Sequence, residues 1–160
     1  MNLMDVLLWG FLATIVLTTV MSASQSLGFS RMSIPYMLGT MLTASRTRAR
    51  ILGFLMHMIN GWVFAFFYAI IFENLQRADW LLGLFIGLVH GFFILVIGMP
   101  FMPGFHPRMA GPDQGPTPTR RLEPPGFMAM NYGKGTPIAT IFAHLLYGLL
   151  LGAFYKLSIG

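Results

Sequence analysis

Long stretches without a single charge fix what this chain can become. After Asp5 the next charged residue is Arg31, and Ile51 to Phe72, Trp80 to Pro107 and Gly135 to Tyr155 carry none. A helix needs about 20 predominantly apolar residues to cross the hydrocarbon of a bilayer. Four stretches reach that length, and we read them as spans at about Leu3–Ala23, Arg50–Phe72, Trp80–Met99 and Pro137–Leu157. Buried helices of a water-soluble protein would each need a polar face, and none of the four has one. The expected fold is therefore an all-α integral membrane protein, a four-transmembrane-helix bundle forming one domain over residues 1–160.

Composition agrees with that reading. The 160 residues are 56% hydrophobic and only 9% charged, against roughly 25% charged in soluble domains. Fifteen Phe and thirteen Met suit lipid contact and irregular helix packing. With no cysteine, a disulfide framework, an iron–sulfur cluster and a thiolate zinc site are all excluded. The first span has an acidic flank, Asp5, and no Lys or Arg before it, so it reads as a retained helix and not as a cleaved leader.

The net charge of +5 suggests a topology, not nucleic-acid binding. Arg31, Arg46, Arg48 and Arg50 lie between the first and second spans; Arg108, Arg120, Arg121 and Lys134 lie between the third and fourth. Both loops emerge on one side. Only Arg77 and Lys156 fall on the other, with Asp5, Glu73 and Asp79. Positive loops stay in the cytoplasm. Both long loops are thus expected inside and both termini outside, in a bacterial cytoplasmic (inner) membrane, where basic side chains meet lipid headgroups.

Self-comparison points to an internal duplication. HMINGWVFAFFY in the second span and HLLYGLLLGAFY in the fourth share one spacing, so that His57, Gly61, Ala65 and Tyr68 match His144, Gly148, Gly152 and Tyr155. Upstream, GFSRM (Gly28 to Met32) matches GFHPRM (Gly104 to Met109) with one residue inserted. Each half is a helix-loop-helix hairpin, residues 1–73 and 80–160, and two-span copies are related by an axis along the membrane normal.

The loops differ in kind. SIPYMLGTML in the first is apolar enough to lie at the interface or fold back onto the bundle. The second, residues 100–136, is Pro-rich: nine of ten prolines fall between Pro100 and Pro137. Proline removes the backbone donor, so one continuous helix is excluded there. An ordered, extended, polyproline-like segment is expected, with a disordered linker as the competing reading.

Three histidines lie inside the spans. At about 100° per residue, His57, Gly61, Ala65 and Tyr68 fall within about 80° on one stripe, as do their fourth-span counterparts. The third span carries Gly83, Gly87 and Gly91 at four-residue spacing with His90 on the same face. Such small residues let helices pack closely, which turns all three imidazoles inward. Imidazole binds transition metals, and a b-type haem needs two axial histidines. His57 and His144 are the candidate haem-b or metal pair, a haem needing small residues nearby to make room for its macrocycle; Gly61, Ala65, Gly83, Gly87, Gly91, Gly148 and Gly152 are the expected helix-packing positions. A quinone headgroup between the helices, held by His90 and Asn60, is the other ligand. The bland reading gives each histidine only a hydrogen bond across a helix contact. Tyr68 and Tyr155 read as interface anchors, and His106 as a turn residue beside Pro107.

No carboxylate lies within a span apart from Asp5 at a helix edge, and no catalytic motif is present. The expected role is a small, non-catalytic accessory subunit packed against other membrane subunits, with a respiratory or photosynthetic electron-transfer assembly as a host. Ligand binding at the histidines is the alternative, and a small transporter or channel the third. The paired histidine–glycine helices and the GFHPRM loop make the chain resemble uncharacterised four-span bacterial inner-membrane proteins of the YagU-like sort. That resemblance covers most of the chain and implies no activity.

Overall fold

In a computed structural model, which describes residues 1–111 and 115–158, four helices are long and apolar enough to cross a membrane. The first is α1 (Leu3–Ser26), followed by a short α2 (Ile34–Gly39) and the long α3 (Arg46–Leu75). The third crossing, Trp80–Phe105, is built from α4 (Trp80–Phe93), a π-helical turn (Ile94–Gly98) and α5 (Met99–Phe105). A 3₁₀ turn at Phe127–Tyr132 leads into α6 (Thr136–Phe154). Among the described residues there is no strand, only an isolated bridge between Met109 and Leu122.

Local chemistry sets the helix ends. The Asn2 side chain accepts from Asp5 N at 3.2 Å to cap α1, and Asp79 accepts from Leu82 N at 2.9 Å to cap α4. Gln76, left-handed at φ 49°, stops α3. Prolines in the first turns of α2 and α6 sit where a missing N–H costs nothing.

Two helices outrun their apolar segments. α3 starts at Arg46, so Arg46, Arg48 and Arg50 lie on its first turns; backbone hydrogen bonding does not stop where hydrophobicity does. The third crossing continues through Pro100 and Pro103 to Phe105. The π turn makes this feasible. Met99 N–H reaches back five residues to Ile94 O immediately before Pro100, which widens the helix where the proline ring would otherwise strike the preceding turn. The Pro-rich segment therefore begins as helix and turns extended only from His106.

Packing runs around the bundle in the order α3, α1, α6, α4. Glycine sets the tightest seams. A Cβ on Gly61 would overlap the Thr14 side chain of α1, and one on Gly10 would lie 2.7 Å from Ala65 Cβ. Between α4 and α6, a Cβ on Gly83, Gly87 or Gly148 would run into backbone carbonyls of the facing helix, while one on Gly152 would strike Asp79 O at the α4 cap. At the end of α6, Trp9 of α1 stacks on the exposed Phe154 at 4.4 Å. Contact between α3 and α4 is made by side chains: Phe64 lies on His90 with ring centroids 3.9 Å apart.

The long loops close one end of the bundle. α2 packs on the first turns of α3, with Gly39 against Ala49 and Gly53 against Pro35. His106 is buried, its Nε2 3.0 Å from Met37 O and 3.3 Å from Thr40 Oγ1. Arg108 Nη1 donates to Thr40 O at 2.7 Å. In return Arg31, from the first loop, pairs with Glu123 at 3.3 Å and donates from its backbone N to Tyr132 O at 2.7 Å. Each loop thus holds the other. At the opposite end, Tyr155 donates to Glu73 Oε1 at 2.6 Å and accepts from Asn2 N at 3.0 Å.

Candidate functional site

Because α3 and α4 meet only through side chains, the bundle is left with a cavity of about 360 Å³ between them. It lies within the 300–1,000 Å³ or so that small-molecule sites occupy. The four residues singled out from the sequence, His57, Asn60, His90 and His144, all line it. Among the described residues that line it, none is Asp, Glu, Lys or Arg.

Spacing along each helix explains the convergence. On α3, His57, Asn60, Gly61 and Phe64 follow three- and four-residue steps and share a face. On α6, Thr140, His144 and Tyr147 do the same, and so do His90 of α4 and Ile94 at the start of the π turn. Gly87 and Gly91 draw α4 onto the backbone around His144, so the rings of His90 and His144 meet edge to face at 4.6 Å.

The hydrogen bonds divide the polar groups into spent and unspent. Tyr147 donates to Gly61 O at 2.6 Å, joining α6 to α3. His144 Nδ1 donates to Thr140 O at 2.8 Å, which in a neutral imidazole leaves Nε2 as an acceptor. His90 Nδ1 lies 3.3 Å from the Tyr68 hydroxyl. Among the described residues two buried side-chain atoms have no partner: His57 Nε2 and Thr140 Oγ1. A buried polar atom left unsatisfied costs about 1–3 kcal/mol, so both call for a physical reason. Both residues line the same cavity.

Towards the looped end the walls become soft. Seven of the thirteen methionines, Met21, Met32, Met37, Met41, Met56, Met99 and Met102, line this cavity. Unbranched thioether side chains adapt their shape to an occupant. On the flank, exposed Asn60 and Phe105 mark the rim.

The space beside the glycines of the histidine stripes is filled: Gly61 by Thr14, Gly148 and Gly152 by the backbone of α4 and its cap. His90 and His144 are in direct contact, and His57 and His144, the pair expected from the sequence, both line the cavity. A metal bound by imidazole nitrogens needs its donors within about 2 Å of one point. Among the described residues, no three His, Cys, Asp or Glu side chains form such a group. A cavity of about 360 Å³ is organic in scale.

Sequence reasoning missed Thr140, Tyr147 and the methionine walls. Thr140 and Tyr147 stand four before and three after His144, on the stripe already identified, so that signal was present. Tyr68 is no interface anchor: it is 2% exposed and belongs to the core beside His90. The helix-packing glycines and Ala65 do pack helices, but their partners are within this chain. No family model, curated protein or solved structure matches the chain.

Proposed function

We propose that this chain is a non-catalytic membrane protein whose helical bundle holds a neutral, lipid-soluble molecule with a hydrogen-bonding head. The observation that carries this reading is the pair of unpartnered atoms, His57 Nε2 and Thr140 Oγ1, beside an uncharged cavity. The absence of charge from the lining favours a neutral ligand. The interlocked loops favour access from the bilayer, past Asn60 and Phe105. The test is extraction of protein purified in mild detergent, followed by mass spectrometry of the organic phase. A stoichiometric neutral lipid-soluble compound is expected; recovery of bulk phospholipid alone would count against the reading.

The orientation that suits this role places the interlocked loops in the cytoplasm of a bacterium and the Tyr155–Glu73 end outside. Its support is the basic loop side, where Arg46, Arg48, Arg50 and Arg121 are exposed and available to lipid phosphates. Labelling of single cysteines introduced at Gly115 and Asn74 from either side of the membrane tests it. The two hairpins, α1 with α3 and α4 with α6, we further take to be duplicated. Both put small residues on their internal seam, and Arg31 and Arg108, matched positions of the repeated motif, each reach across to the other half.

A role as accessory subunit of a larger assembly, such as a respiratory or photosynthetic one, is compatible with ligand binding. The glycine faces are used internally, so partners would meet the exposed apolar flanks, where Phe85 is 64% and Ile138 74% exposed. Gentle extraction is then expected to yield a particle much larger than 17.8 kDa; a lone monomer overturns this part.

A further inference from the structure

We infer that the ligand is of the quinone class: a flat ring with oxygens on opposite sides and an apolar tail. This rests on the proposal that the cavity holds a neutral lipid-soluble molecule, and it goes further by assigning the head chemistry from the unspent hydrogen-bonding capacity.

Charge narrows the choice first. A fatty acid or phospholipid placed with its head at the histidines would bury an ionised group among uncharged side chains, and burying an unpaired charge is far costlier than burying a neutral polar group. No Lys or Arg lines the cavity to compensate. A plain hydrocarbon fails for the opposite reason, because it leaves His57 Nε2 and Thr140 Oγ1 as unsatisfied as they are now.

The inventory then selects a head that both accepts and donates. Thr140 offers a free hydroxyl proton, the Asn60 amide offers two N–H groups and a carbonyl, and neutral His57 offers one donor and one acceptor. These suit the carbonyl oxygens of a quinone. His144 Nε2, left as an acceptor by the Nδ1 bond to Thr140 O, suits the hydroxyl of the reduced form. Both forms therefore find partners, and the protein need transfer no electron to hold either. Phe64 and His90, stacked at 3.9 Å, supply an aromatic wall for a flat ring. A sterol or other single hydroxyl engages only part of this set. The tail has a path as well. Besides the histidines the lining holds Leu17, Met37, Met56, Met102 and the exposed Phe105, adaptable surfaces for a branched isoprenoid chain.

The experiment measures saturable binding to the full chain in nanodiscs of neutral lipid. Three radiolabelled probes are compared: a short-tailed 1,4-benzoquinone, its naphthoquinone counterpart and an isoprenoid hydrocarbon of the same tail length. At least one quinone is expected to bind saturably, and an excess of the hydrocarbon to displace it poorly. Thr140→Val, which keeps the shape and removes the hydroxyl, is expected to weaken quinone binding about tenfold, the value of one buried hydrogen bond. Should that variant fail to fold, Asn60→Ala at the exposed rim serves the same purpose, with at least a severalfold loss expected. Displacement by the hydrocarbon as effective as by quinone, or unchanged quinone affinity in the folded variant, overturns the quinone assignment while the lipid-soluble reading stands. If none of the three probes binds saturably, both fall.

Discussion

His90 and His144 meet edge to face across the α4–α6 seam with ring centroids 4.6 Å apart, and Gly87 is what allows it. A Cβ there would overlap the carbonyl of His144 itself. The site and the glycine seam between α4 and α6 are therefore one piece of structure, and a change to the seam is a change to the site.

Gly83→Ala is accordingly expected to destabilise the bundle. The added methyl faces the Gly148 carbonyl, a backbone atom that cannot swing aside, so the helices must part. Overpacking of this kind costs about 1–3 kcal/mol. Thermal unfolding in detergent checks it, with Gly104→Ala as control, since nothing lies within 4 Å of a Cβ at Gly104. Equal melting of the two variants would contradict the packing described.

Thr140→Val is expected to move stability the other way. In the ligand-free protein it replaces an unpartnered buried hydroxyl by a methyl of similar shape, a gain of about 1 kcal/mol. Ligand-binding sites commonly trade stability in this manner. A raised melting temperature for protein stripped of bound lipid is the expected result, and a lowered one would mean that the hydroxyl has a partner after all.

Arg108→Ala is expected to loosen the looped end while leaving the spans intact. The substitution removes the donor to Thr40 O and Met41 O, two carbonyls at the end of α2. Limited proteolysis should then cut within residues 106–132 several times faster than in the parent, with helix content by circular dichroism unchanged. Equal cutting rates would show that His106 and Arg31 suffice to hold the loops.

Acid is expected to weaken the start of α4. Hydrogen bonding from Arg77, followed by the cap to Leu82 N, holds the Asp79 carboxyl below the ordinary aspartate range. A lowered folded-state value means that the carboxylate contributes stability above the ordinary value of about 3.9. That contribution is lost as pH falls through the lowered one. Asp79→Asn keeps a capping oxygen and removes the titration. Melting temperatures followed from about pH 6 down to about pH 3 should fall more steeply in the parent than in the variant.

The spans were legible because apolarity is a local property of the chain, and so were the inward histidines, because a helical stripe needs only spacing. Helix ends were less so. Arg46 to Arg50 continue α3 through polar sequence, and Pro100 is carried by a π turn that no residue pattern announces. What the glycines face was not legible at all. Gly61 and Gly148 look like vacancies in one helix considered alone, and only the partner helix shows that they are filled. The methionine walls come from four separate parts of the chain, α1, the first loop with α2, α3, and the α4–α5 run, and such convergence is a property of tertiary structure.

The stack of Trp9 on Phe154 carries a consequence for biogenesis. α1 emerges from the ribosome first, yet one of its main partners is α6, the fourth of the spanning helices to be made. Until α6 inserts, one side of α1 can be covered only by lipid or by an insertion factor, and Tyr147 cannot tie α6 to α3. The first hairpin must therefore wait half-assembled, and the cavity, walled by both halves, comes into being only once α6 is in place.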